Sequence, residues 1–116
     1  MSDSVSSKFY SAKKELESLR HIDTLVRDVY DMNNKQDNDS IKPELNMLQE
    51  DLIKSRKKII LRLRRMPFGL EYRFLFLRYI RGMTIDEIAC KMLYDRRWIY
   101  KIQNRAIEKY IQNTEG

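Results

Sequence analysis

The chain carries one cysteine (Cys90), one histidine (His21), three glycines and two prolines in 116 residues. A single cysteine excludes an internal disulfide framework and any multi-cysteine zinc site, and it suits a reducing compartment. A single histidine removes most metal and acid–base site designs. Glycine and proline stand far below their ordinary shares of roughly 7% and 5%, so few residues are present to break helices. Long apolar runs are missing too. The longest unbroken aliphatic or aromatic stretch is Phe74–Leu77, far short of the ~20 residues that a membrane-spanning helix needs. Residues 1–10 have no apolar core of the kind a signal peptide carries. The expectation is a cytoplasmic, nucleoid-associated protein with no membrane contact. No phosphate-cradling glycine loop, nucleophile elbow or metal-spaced cluster occurs. Asp86 and Glu87 are neighbours that point apart on a helix, so they form no catalytic pair. The sequence reads as a non-enzyme with no metal and no cofactor.

What is present is charge, unevenly spread. The whole chain has 23 basic and 17 acidic side chains, a net of +6. Residues 1–53 hold 7 basic against 11 acidic side chains, a net of −4. Residues 54–116 hold 16 against 6, a net of +10. A basic half of this kind is the electrostatic footprint of nucleic-acid binding, although a basic run is as often a solvated helix face.

Apolar residues recur at Phe9, Ala12, Leu16, Leu19, Ile22, Val26 and Val29. Steps of three and four predict a helix from about Val5 to Met32. Residues 33–39 contain no apolar side chain and read as a polar loop. Asn38-Asp39-Ser40 matches the glycosylation triplet by chance. Ser40 or Asp39 can cap a second helix with Pro43 in its first turn. Its stripe is Leu45, Leu48, Leu52, Ile59, Leu63 and Met66, interrupted at Ser55 or Arg56, and Pro67 stops it. The pair predicts an antiparallel hairpin or a coiled-coil dimer over residues 1–66. Seven basic residues in Lys54–Arg65 read as a solvated face opposite the acidic first helix.

Residues 67–116 are a second unit. A helix is predicted over Glu71–Arg81, with Phe74, Leu75, Leu77 and Ile80 apolar and Gly82 as its C′ glycine. Tyr72 and Phe76, off the unit's core face, are expected to dock on the hairpin. Thr84-Ile85-Asp86-Glu87 fits a capping box for a helix ending near Met92. Asp95 is a good N-cap for a last helix over Arg96–Ile111, with residues 113–116 fraying. Ile85, Ile88, Ala89, Met92, Tyr94, Ile99, Ile102 and Ala106 have the spacing of a helix-turn-helix, whose second helix enters the DNA major groove. Its outward positions are then Arg96, Arg97, Tyr100, Lys101, Asn104 and Arg105. Four of the six are basic, and arginine and lysine can pair with guanine O6/N7 or neutralise phosphate. Trp98 lies on the flank of that helix, open to a thymine methyl or sugar contact or to packing against the domain.

Residues 71–110, from Glu71-Tyr72-Arg73-Phe74-Leu75-Phe76-Leu77 through Thr84-Ile85-Asp86-Glu87-Ile88-Ala89 to Tyr94-Asp95-Arg96-Arg97-Trp98-Ile99-Tyr100-Lys101, resemble region four of the housekeeping-type bacterial sigma factors. The resemblance extends to small phage and prophage proteins that join an N-terminal helical part to such a module, the ArpU- and RinA-type regulators of late phage genes. It covers about 40 of the 116 residues. It implies that Arg96, Arg97 and Lys101 read bases, that Tyr100 and Arg105 touch the DNA backbone, and that Thr84 faces phosphate. Arg97 and Lys101 replace acidic and amide residues of the housekeeping pattern, so a different sequence is expected to be read. Leu93 stands at a turn position that is often glycine. No sigma region two is recognisable, so a complete sigma factor is not expected.

The combined expectation is an all-α chain: a helical hairpin or coiled coil (1–66), then a helix-turn-helix module (67–116). Its expected function is sequence-specific binding of double-stranded DNA as a homodimer, activating phage late genes. RNA polymerase is a further partner implied by the resemblance. Two other readings stay open, a module that binds RNA polymerase or an anti-sigma protein, and a DNA-packaging factor like a small terminase subunit.

Overall fold

The computed structural model describes residues 2–35 and 40–115. Every regular element among them is helical: α1 (Ser2–Asn33), α2 (Lys42–Arg64), α3 (Leu70–Leu75), α4 (Ile85–Met92) and α5 (Arg96–Glu115). The chain is all-α, a helical hairpin followed by a helical module.

α1 has 32 residues, about 48 Å at 1.5 Å per residue. It packs along α2 of the same chain. Asn33 meets Asn46 at 2.6 Å, Asp23 meets Arg56 at 2.6 Å, and Glu15 pairs with Arg62. One number rises as the other falls, so the helices run antiparallel. The seam buries Ala12, Leu16, Leu19, Ile22 and Val29 against Leu45, Ile59, Leu63 and Met66. Its alternating spacing of three and four is that of a coiled coil closed within one chain. Arg56, the break in the apolar stripe of α2, is tied to Asp23. Leu48 departs from the predicted stripe and is exposed. At that level Gln49 and Leu52 are the side chains partly covered. Ser40 does not cap α2 either: Ile41 holds the N-cap position without a side-chain bond, and Pro43 sits in the first turn. Asp39 and most of the Asn38-Asp39-Ser40 triplet lie outside the described residues.

In the module, α3 continues into a π-helical turn, Phe76–Ile80. The Arg81 amide donates to Phe76 O, five residues back, at 3.0 Å. The sequence predicts a plain α-helix here. A π turn takes in one extra residue, and Leu77 and Tyr79 are both buried while Ile80 is only half-covered. Tyr72 stands 5.3 Å from Phe68, the rings tilted, and α3 packs chiefly on α5, whereas the π turn that begins at Phe76 packs on α1 of the hairpin. α5 is longer than predicted and runs to Glu115, with Asn113 Nδ2 donating to Lys109 O at 2.8 Å.

Hairpin and module share one core. α1 lies against α5 and the π turn, and Leu16, Leu19, Leu63, Phe74, Ile88, Ile102 and Tyr110 belong to a single buried cluster. The far end of the hairpin extends past it. The radius of gyration is 17.1 Å, against roughly 13 Å for a compact chain of this length.

Burial pushes the Tyr79 hydroxyl up to about 12, with Arg78 opposing and Glu17 reinforcing the shift. Tyr110 is raised by burial as well, helped by Glu15 and opposed by Arg62. A group favoured in its neutral form stabilises the fold below its ordinary pKa, here near 10, and loses that contribution as pH rises through the folded value. Stability is therefore expected to fall between about pH 10 and 12. In a phenolate absorbance titration, two of the seven tyrosines should ionise only as helicity disappears, and Tyr79→Phe should reduce that number to one.

Candidate nucleic-acid interface

The candidate site is built from two capped helices, α4 and α5. The Thr84 hydroxyl accepts from the Glu87 amide at 3.1 Å, and the Glu87 carboxylate accepts from the Thr84 amide at 2.9 Å. These reciprocal bonds satisfy two amides at the start of α4. The Thr84 bonds also hold the Glu87 carboxyl below its ordinary range. Asp95 caps α5, accepting from the Trp98 amide at 2.7 Å. Between the helices Leu93 adopts φ 61°, and the Tyr94 amide closes the turn on Ala89 O at 3.1 Å. Ile88 packs on Ile99 and Ile102 in the shared core, all three fully buried.

Leu93 is 89% exposed and occupies the left-handed region, where a Cβ is penalised and glycine is not. Leu93→Gly is expected to raise stability by about 1 kcal/mol. A chemical denaturation series would read this as a higher midpoint at unchanged slope.

The turn before α4 is held from two sides. Arg78 Nη1 donates to Met83 O at 2.9 Å, and Arg20 Nη1, from α1, donates to Gly82 O at 3.3 Å. Gly82 has φ 71°, and a Cβ there would stand 2.9 Å from the Arg20 guanidinium carbon. The glycine thus serves both the turn and the close approach of α1. Gly82 is legible in the sequence. Arg20 is not, because it lies 62 residues away and carries no local signal.

All seven predicted site residues, Thr84, Arg96, Arg97, Tyr100, Lys101, Asn104 and Arg105, are exposed. The six on α5 do not form one row. At 3.6 residues per turn, Arg97, Lys101, Asn104 and Arg105 project opposite the buried Ile99, Ile102 and Ala106. Arg96 and Tyr100 lie on one flank. Arg96 meets Asp86 of α4 at 3.5 Å and sits 6.0 Å from the Tyr100 ring. Tyr100 and Asp86 both favour its charged form. On the other flank Trp98 is partly buried, with Tyr94 at 6.4 Å. The Lys101 ammonium lies 5.7 Å and the Arg105 guanidinium 5.3 Å from its ring. These cation–π contacts orient two cations beside the open face. Sequence reading left Trp98 between two roles, and its position under Lys101 and Arg105 is the part it missed.

Neither family models nor curated proteins nor solved structures provide a match to this chain. Among the described residues no helix is long and apolar enough to cross a membrane. The other cations are distributed differently. Arg56 and Arg62 of α2 are engaged with acids of α1, and Lys109 meets Glu71 at 3.3 Å. Arg97, Lys101 and Arg105 face solvent and make no ion pair among the described residues.

Proposed function

We propose that the protein is a sequence-specific, double-stranded DNA-binding transcription regulator of the sigma-region-four-like phage type. α4 and α5 act as a helix-turn-helix, with α5 in the major groove. The observation that carries this reading is the solvent-facing set Arg97, Lys101, Asn104 and Arg105 on a helix whose opposite side is buried and whose start is capped. Arginine and lysine donate to guanine O6/N7, asparagine can bridge adenine N6/N7, and the remaining cations neutralise phosphates. Thr84, at the start of α4, stands where a first helix crosses the backbone. A single reading helix contacts few base pairs, so the protein acts as a homodimer on two half-sites about one helical turn, or a multiple, apart.

Selection of bound sequences from a random DNA pool tests this directly. An enriched inverted repeat is the expected result. No enrichment over the input pool would end the reading. A protein-binding module is a second reading, favoured by Phe68, which is 92% exposed beside the apolar groove of Tyr72, Phe76 and Leu77. Purified RNA polymerase bound by protein that shifts no DNA by itself would favour it.

A further inference from the structure

We propose that Asp86 of α4 is a positioning residue that aims Arg96 of α5 at a guanine, which makes the flank of α5 a second reading edge beside its outward face. Resting on the DNA reading above, it assigns one base pair of the bound site to a pair of residues that joins the two helices.

Arg96 is the first residue of α5, and the N-terminal residues of a recognition helix are the ones that reach base edges. Its Nε stands 3.5 Å from an Asp86 carboxylate oxygen. Tyr100, one turn along α5, has its ring centre 6.0 Å from the guanidinium carbon. Two helices thus hold one guanidinium that is otherwise open to solvent. Arginine has five N–H donors. With Nε turned to the acid, the Nη end remains for a ligand. Two parallel N–H groups of that kind match the O6 and N7 acceptors of guanine.

The acids around Arg96 divide by role. Asp95 accepts from the Trp98 amide at 2.7 Å and Glu87 from the Thr84 amide at 2.9 Å, so both serve caps. Asp86 takes part in neither. Its pair with Arg96 is exposed, both side chains being more than half accessible, and such a pair adds little to stability. It also sets a negative charge beside a surface assigned to DNA, which by itself weakens binding to any sequence. Orientation gives the acid a role. A long side chain that is already held loses less rotamer freedom on binding than a free one. An acid placed here lowers affinity for every sequence and raises discrimination at one base pair. Arg97, next in the chain, makes no ion pair among the described residues.

Asp86→Asn in the full chain is the test, because repulsion and positioning predict different results. A carboxylate that only repels phosphate would, once neutralised, raise affinity for all duplexes alike. Positioning predicts a rise for a scrambled duplex, while the ratio of affinities for the selected site over the scrambled one falls by about tenfold. The guanines of the selected site are then replaced one at a time by 7-deazaguanine, which lacks the N7 acceptor. At one position wild type should lose about tenfold, and Asp86→Asn and Arg96→Ala should lose little. Asparagine keeps the shape of an exposed aspartate, so circular dichroism should show unchanged helicity. In the free protein, NMR relaxation should find the Arg96 Nε–H restricted in wild type and mobile in Asp86→Asn. Undiminished selectivity of Asp86→Asn would overturn the proposal. So would an Arg96 Nε–H as mobile in wild type as that of Arg97. So would an Arg96→Ala loss that is uniform over sequences and lowers the salt slope by about one, the mark of a phosphate contact. If no site is selected from the pool, the DNA reading and this assignment fall together. A selected site read without Asp86 removes this assignment alone.

Discussion

Replacing Arg97 and Lys101 together by alanine is expected to remove sequence-selective DNA binding while leaving helicity unchanged. Each side chain projects from α5 with no ion pair among the described residues, and a good bidentate base contact gives about 1–3 kcal/mol of discrimination. The pair therefore amounts to about 2–6 kcal/mol, roughly thirtyfold in affinity and upward. The two are one turn apart, so the double variant need not equal the sum of the singles, and all three proteins should be measured. Arg105→Ala differs in kind. In the proposed complex Arg105 neutralises a phosphate, so its loss should weaken binding to every sequence alike and reduce the salt slope by about one. Fluorescence anisotropy on the selected site and on a scrambled duplex, over a range of salt, separates the two behaviours. Equal affinities for wild type and the double variant would remove α5 as the reading helix.

The second large effect lies far from α5 in sequence. Leu16→Ala should cost about 2–5 kcal/mol, the usual range for truncating a buried leucine, and lower the melting temperature by about 10–20 °C. Leu16 is fully buried in the cluster that also holds Ile88 and Ile102. The loss should therefore be felt in α4 and α5 as much as in α1. Native-state amide exchange is the decisive measurement. Protection in the module should fall together with protection in the hairpin. Loss confined to α1 and α2 would mean that the two parts unfold independently.

The course of the chain was legible where local rules agree. Steps of three and four in residues 9–29 predicted α1, and Thr84 with Glu87, Gly82 and Asp95 predicted three boundaries of the module. Those signals work because a cap or a left-handed turn involves residues within a few positions of each other. The outward side of α5, with Arg97, Lys101, Asn104 and Arg105, was legible because Ile99, Ile102 and Ala106 fix which side is inward, whereas the flank position of Arg96 and Tyr100 was not. What remained hidden depended on tertiary partners. The seam pairing of Asp23 with Arg56, and the bond from Arg20 to Gly82, join residues 33 and 62 positions apart. The π turn was hidden because Phe76–Ile80 carries no breaker. The extra residue is accommodated because Tyr79 and Leu77 both find cover against neighbouring helices. Leu93 is the opposite case: a bulky residue where local rules ask for glycine, held there by the packing of the helices on either side.

Trp98, wedged among Tyr94, Lys101 and Arg105, is the chain's sole indole. Its emission therefore comes from one location, beside the face assigned to DNA. A ligand that draws Lys101 or Arg105 away from the ring changes the polarity and quenching that the indole senses. The molecule thus carries its own spectroscopic probe, and occupancy of α5 can be followed in real time without attaching a dye.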